Sequence, residues 1–94
     1  SHIKSLGEEY SAQGLEVGVM APTEDCSLYA QFKTLDMGSR NRLQEISANL
    51  YRLLRETDQI GLDIVLVQGL PEEGLGMAIM NRLRRAAGDR VVFA

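Results

Sequence analysis

The chain contains few of the residues from which most catalytic and metal sites are built. Cys26 is the single cysteine, so no internal disulfide can form, and we expect a reducing compartment, the cytoplasm. Its acidic neighbours Glu24 and Asp25 would raise the pKa of the thiol, which predicts an inert cysteine. The single histidine is His2, and Ser1 with His2 resembles the remainder of a cleaved purification tag. Without another histidine, the sequence offers neither a Ser-His-Asp triad nor a histidine-ligated zinc site.

Long apolar runs and a strong positive charge are also missing. No run approaches the ~20 apolar residues that span a bilayer, and no signal peptide opens the chain, so we expect no membrane partner. The net charge of -3 and the pI near 5.0 argue against a dedicated nucleic-acid-binding domain. The charge is uneven, because residues 39–94 hold eight arginines against seven acidic residues. This local excess of arginine keeps a smaller contact with nucleic acid open.

The pattern of apolar residues predicts helices that alternate with short strands. The clearest helix covers residues 41–60, where leucine and isoleucine recur on one face and Gly61 supplies a left-handed stop. Asn41 and Gln44 resemble a capping box for this helix, and Thr23 is the predicted N-cap of a short helix. The predicted elements, in chain order, are helix 3–13, strand 17–21, helix 23–28, strand 31–36, helix 41–60, strand 62–67, a last helix ending at Gly88, and strand 91–93.

Residues 62–67 are apolar on both faces, which is typical of an interior strand in a parallel sheet covered by helices. Short loops between such strands and amphipathic helices require right-handed crossovers. The length allows one domain, residues 3–94. We therefore predict the α/β class, as a three-layer αβα domain with a mainly parallel four-stranded sheet. A chain that opens on a helix is unusual for this architecture, and an unpaired sheet edge would favour a dimer.

Three glycines between residues 69 and 76 follow a predicted strand and precede a helix, which is the position of a phosphate loop in parallel α/β sheets. The residue types argue against that role, because no Lys-Ser/Thr pair follows the last glycine and Glu72 and Glu73 would repel a phosphate. A structural interpretation explains the same residues. Pro71 would fix the turn, and the glutamates would complement the helix dipole. Gly74 and Gly76 would allow the helix to approach the sheet.

Four arginines lie near the carboxyl end of the chain, and two of them, Arg82 and Arg85, are predicted to share a helix face. Cations near the end of a helix are stabilising in any case, so a solvated basic helix end is one interpretation. A docking surface for an acidic protein domain or for tRNA is the other. The cluster consists of Arg82, Arg84, Arg85 and Arg90.

Two blocks of sequence resemble the C-terminal domain of L-threonylcarbamoyladenylate synthases, the YrdC/YwlC-type enzymes with an extra domain. The blocks are NLYRLLRETD, residues 49–58, and LPEEGLGMAIMNRLRRAAG, residues 70–88. The resemblance covers residues 14–90, because the preceding GLEVGVMAPTED is similar in pattern. It implies a Rossmann-like parallel sheet that is attached to an N-terminal catalytic domain.

In that family the enzyme joins L-threonine, bicarbonate and ATP to give threonylcarbamoyl-AMP and pyrophosphate, for the threonylcarbamoylation of adenosine in certain tRNAs. The resemblance implies that this chemistry, with ATP and Mg²⁺, belongs to the catalytic domain, whose motifs have no counterpart in these residues. We thus expect no catalytic residue, cofactor site or metal site here. The expected role is to support the catalytic domain by docking, by ordering the linker or by recruiting a tRNA-modification partner.

A nucleotide- or small-molecule-binding module and a tRNA-contacting module are the alternatives to this role. The expected contact surface comprises Pro71, Glu72, Glu73, Gly74, Gly76, Asn81, Arg82 and Arg85.

Overall fold

A computed structural model describes residues 2–70, 73–86, 88 and 90–94 of the chain. The order of helices and strands agrees with the sequence prediction, and β1 and β4 have the predicted bounds. No helix within the described ranges is both long and apolar enough to cross a bilayer. The elements are α1 His2–Ala12, β1 Val17–Ala21, a 3₁₀ helix Thr23–Tyr29, β2 Lys33–Asp36, α2 Leu43–Ile60, β3 Ile64–Val67, α3 Gly74–Ala86 and β4 Val91–Phe93.

The four strands form one sheet in the order β2-β1-β3-β4, and every pair is parallel. Val19 of β1 lies opposite Thr34 of β2 and Leu66 of β3, so β1 and β3 are the interior strands. All residues of β1 and β3 are buried, as the apolar sequence of residues 62–67 predicted. The predicted parallel α/β sheet is therefore confirmed.

Helices cover both faces of the sheet and divide the core into two clusters. On one face α2 and α3 pack against the strands through Leu50, Leu53, Ile79 and other apolar residues, each at most 5 % exposed. On the opposite face α1 and the 3₁₀ helix bury Ile3 and Tyr29 against β1 and β3. Because all four strands are parallel, the loops that follow β1, β2 and β3 lie together at the carboxyl edge of the sheet.

The predicted helix caps are wrong at two positions. Thr23 is the first residue of the 3₁₀ helix rather than its cap, and its hydroxyl donates instead to Asp36 Oδ1 at 2.6 Å. Helix α2 begins at Leu43, and no side chain caps it, so the predicted capping box of Asn41 does not form. The N–H of Asn41 donates to Ser39 Oγ at 3.1 Å, which holds Asn41 in the preceding turn.

The stop at Gly61 is confirmed, because its φ is 79° and its N–H donates to carbonyl oxygens of the last turn of α2. The sequence also predicts an apolar face of the last helix, made of Leu75, Ile79, Leu83, Ala86 and Ala87. Ile79 and Leu83 are fully buried, as predicted. The prediction is wrong at Leu75, which is 39 % exposed, and at Ala86, which is exposed, while Ala87 lies outside the described residues. Leu75 lies in the first turn of α3, where it borders a groove beside α2 instead of the sheet.

Candidate functional site

The predicted loop lies at the carboxyl edge of the sheet, between β3 and α3. Two of its residues, Pro71 and Glu72, lie outside the described residues, and Glu73 is exposed just before α3. Gly74 has a φ of 56° and open space around it. Glycine suits this position because of its left-handed backbone conformation, and it is not needed for α3 to approach the sheet. Gly76 is buried in the first turn of α3.

The arginine cluster is divided among three places in the structure. Arg82 Nη1 donates to Ser47 Oγ of α2 at 3.0 Å, while Arg84 lies over the Phe93 ring, 5.6 Å from its centroid. Arg90 forms an ion pair with Asp58 and donates to the carbonyl oxygen of Leu62 at 3.2 Å. Arg82 and Arg84 therefore contact neighbours on opposite sides of α3, and the four arginines do not form one patch. The expected contact residues Asn81 and Arg85 are exposed on α3.

A polar network that sequence reasoning missed lies where the strand order reverses, between β1 and β3. Ligands of open α/β sheets bind at this position, outside the carboxyl ends of the strands. The hydroxyl of Tyr29, which is 3 % exposed, donates to Gln68 Oε1 at 2.9 Å. Gln68 Nε2 in turn donates to Asp25 Oδ2 at 2.7 Å, and the guanidinium of Arg40 pairs with the same carboxylate. The network thus joins the segments that follow β1, β2 and β3.

Glu24 extends the network at the surface. Its carboxylate accepts hydrogen bonds from the Ser39 hydroxyl and from the N–H of Arg40, the latter at 2.9 Å. The Ser39 hydrogen bond is the main cause that lowers the pKa of Glu24 from 4.5 to about 2, with the backbone N–H groups and the Arg40 charge adding to it. Glu24 therefore stays ionised at every pH at which most proteins remain folded.

The Glu24 contacts predict a dependence of stability on pH. Because the pKa of Glu24 is lower in the folded chain, its contribution is fully present above about pH 4.5 and is lost as the pH falls towards about 2. We expect Glu24→Gln to reduce the fall in urea midpoint between these pH values. The exposed Glu9→Gln on α1 is the matched control and should leave that fall unchanged. Equal acid sensitivity of wild type and Glu24→Gln would contradict the prediction.

Cys26 lies beside the network but is not activated by it. Its sulfur lies 3.3 Å from the carbonyl oxygen of Pro22, to which the thiol donates. Burial raises the pKa of the thiol, and the negative charges of Asp36, Asp25 and Glu24 raise it further. The expected direction of this pKa is therefore confirmed, and the thiol is protonated near neutral pH.

A cleft of about 210 Å³ opens next to the network. Its apolar walls are Pro22, Leu43 and Leu70, and its polar groups belong to Arg40, Asn41 and Gln68. Two of these polar groups are already bonded within the domain, since Arg40 and Gln68 both contact Asp25. Among the described residues, no group of three or more His, Cys, Asp or Glu side chains is placed to hold a metal ion. The arrangement therefore fastens three loops to one another.

Comparison with known proteins finds similarity to threonylcarbamoyl-AMP synthases. A family model described as "Threonylcarbamoyl-AMP synthase, C-terminal domain" matches residues 2–88. A threonylcarbamoyl-AMP synthase of Bacillus subtilis is 38% identical over 90 residues, which are 96% of this chain and 26% of the relative. The synthase of Pyrococcus abyssi is 36% identical over 90 residues, which are 96% of this chain and 25% of the relative.

A solved structure is similar as well. It is that of a double-alanine variant of P. abyssi Sua5, with a TM-score of 0.75 and 33% identity. The match covers 99% of this chain and 27% of that chain, so this chain spans about a quarter of the length of its relatives. The sequence blocks at residues 49–58 and 70–88, the parallel sheet and these matches agree: the chain belongs to the family of threonylcarbamoyl-AMP synthase C-terminal domains.

Proposed function

We propose that this domain is the non-catalytic C-terminal module of an enzyme that makes threonylcarbamoyl-AMP from L-threonine, bicarbonate and ATP. The product would serve threonylcarbamoylation of tRNA in the cytoplasm, and ATP and Mg²⁺ would bind in the catalytic domain. Relatives that carry the synthase name are about four times as long as the matched region, which leaves ample chain for that domain.

The single observation that carries this proposal is the internal pairing of the polar groups at the carboxyl edge of the sheet. An α/β domain that binds a substrate at this edge directs a small number of polar groups at the ligand. Here Gln68 uses both ends of its carboxamide within the domain, on Tyr29 and on Asp25. Asp25 is further occupied by Arg40. The thiol of Cys26 is protonated, so it adds no nucleophile.

The domain would act by docking against the remainder of the synthase chain. The contact surface that we propose contains the loop 71–76 and the exposed side of α3, with Asn81, Arg82 and Arg85. A direct contact with tRNA is less well supported, because the four arginines point to different neighbours and the chain as a whole is acidic.

Deletion of the domain from the full-length synthase tests the proposal. We expect slower threonine-dependent release of pyrophosphate from ATP and less threonylcarbamoylated tRNA, since the catalytic domain loses its support. The full-length protein carrying Lys33→Gln, a substitution at an exposed residue of β2, is the control. It is expressed, purified and assayed in the same way as the truncated protein. Unchanged pyrophosphate release together with unchanged tRNA modification would overturn the proposal.

The cleft of about 210 Å³ favours one second candidate, a small-molecule-binding module. Its size is below the range of ~300–1,000 Å³ that holds drug-sized ligands, so only a small metabolite would fit. A thermal-shift screen decides this, because a ligand at 100 times its Kd stabilises the fold by ~2.7 kcal/mol and raises Tm by several degrees. Absence of any shift across nucleotides and amino acids would remove the candidate.

A further inference from the structure

We propose that the seam between α2 and α3 is the docking surface for an acidic, amphipathic helix from the remainder of the synthase chain. The seam comprises Ser47, Tyr51 and Arg55 on α2 and Leu75, Arg82 and Arg85 on α3. This inference rests on the proposed docking role and adds the location of the surface and the chemistry of its partner.

The seam is positively charged although the chain as a whole has a net charge of -3. It contains three arginines, and within the part of the chain that the structure describes neither Arg55 nor Arg85 has a carboxylate partner. The carboxylates of α2 have other partners or positions. Glu56 lines the groove beside β2 and pairs with Arg52. Asp58 pairs with Arg90, and Glu45, which borders both grooves, pairs with Arg42. Carboxylates on a partner would therefore meet guanidinium groups that are still free.

Arg82 is held in the position that such a partner needs. Its Nη1 donates to Ser47 Oγ at 3.0 Å, so the side chain reaches from α3 across to α2. Ser47 and Tyr51 are one helical turn apart on the same side of α2. Arg85 follows Arg82 on the same face of α3, and Arg55 follows Tyr51 by one turn. Arg55 thus lies one turn beyond Tyr51 on α2, and Arg82 and Arg85 lie on the α3 side of the seam.

Apolar groups along the seam supply the anchors of an interface. Tyr51 is 68 % exposed and Leu75 is 39 % exposed, whereas the neighbouring Leu50 and Leu53 are buried. Leu75 also borders a groove of about 520 Å³ between the first turns of α2 and α3. From Ser47 to Arg55 the α2 side of the seam is ~12 Å long, which matches a partner helix of ~8 residues. Interfaces commonly place tyrosine and arginine at their energetic centre.

The combination favours a protein segment over a nucleic acid. Exposed Leu75 and the groove beside it would gain nothing from phosphate groups, but they can bury an apolar side chain. The acidic chain would also repel a long polyanion, whereas a short helix with its carboxylates along two edges contacts the arginines alone.

Site-specific photocrosslinking in the full-length synthase tests the proposal. p-Benzoylphenylalanine is placed at position 51, the protein is irradiated, and the adducts are mapped by peptide mass spectrometry. We expect an adduct within the same polypeptide, to a carboxylate-rich helical segment outside these residues. The matched control places the same probe at Arg52, which faces the opposite groove and is expected to give little adduct.

Charge reversal supplies the second measurement. Arg55→Glu with Arg85→Glu should lower the adduct yield at position 51 about tenfold, and Arg52→Glu should leave it unchanged. Circular dichroism melting shows whether the variants are folded. If the double variant Arg55→Glu with Arg85→Glu is not folded, the double variant Arg55→Gln with Arg85→Gln is measured in its place. An adduct with tRNA or with a second copy, no adduct, or a yield that survives both double variants would overturn the proposal. None of these readouts depends on synthase activity, so this proposal and the docking role can fail separately.

Discussion

Leu50→Ala is expected to lower the free energy of unfolding by about 2–5 kcal/mol. Leu50 is 2 % exposed and lies within the cluster that α2 and α3 form on the sheet. The truncation removes buried apolar area and leaves a cavity between packed elements, which the helix cannot close without losing its other contacts. Urea denaturation followed by circular dichroism measures the change.

Tyr51→Ala is the matched control for this substitution. Tyr51 is the next residue of the same helix but is 68 % exposed, so its removal should change the free energy of unfolding by less than about 0.5 kcal/mol. Similar losses at positions 50 and 51 would contradict the packing of α2, because they would place both faces of the helix in the same environment.

Gln68→Leu is expected to cost about 1–3 kcal/mol of stability, although it preserves side-chain volume. The substitution leaves the buried hydroxyl of Tyr29 without its acceptor and removes one of the donors to Asp25. An unsatisfied buried polar group retains its full desolvation penalty, and that penalty is the physical origin of the expected loss. The exposed Gln59→Leu on α2 is the control and should be nearly neutral.

A double-mutant cycle with Tyr29→Phe separates the network from packing. In the Gln68→Leu background, Tyr29→Phe removes the orphaned hydroxyl, so the double variant should lose less stability than the two single variants added together. We expect a coupling of ~0.5–3 kcal/mol between these residues. Strict additivity would show that the hydrogen bond between Tyr29 and Gln68 contributes nothing to the native state.

The local sequence pattern was sufficient for the class of fold. The apolar runs at residues 17–21 and 62–67 predicted interior strands, and β1 and β3 are buried strands of a parallel sheet, although β3 begins at Ile64, two residues later than predicted. Gly61 predicted the end of α2 because a left-handed φ of 79° suits glycine far better than other residues. The direction of the Cys26 pKa shift was predicted from its neighbours Glu24 and Asp25, although burial is its largest cause and Asp36 adds to it.

Prediction was less accurate where two local interpretations compete. Asn41 has the residue type and spacing of a cap, but a hydrogen bond to Ser39 holds it outside α2. Leu75 has the spacing of the buried face, but it borders the groove between the first turns of α2 and α3 and is 39 % exposed. In both cases the residue pattern within one element does not specify where the neighbouring element lies.

The sequence by itself determined the alternation of helices and strands, the parallel sheet, the family and the residues that fill the core. The helices follow from a period of 3.6 residues and the parallel sheet from short runs that are apolar on both faces, both of which neighbouring residues define among themselves. The family follows from the resemblance of two sequence blocks. Only the tertiary structure decided that Gln68 meets Asp25, 43 positions away, and that Arg82 and Arg84 turn to opposite sides of α3. Such contacts depend on which strands are neighbours and how each helix is rotated on the sheet, and no local period specifies either.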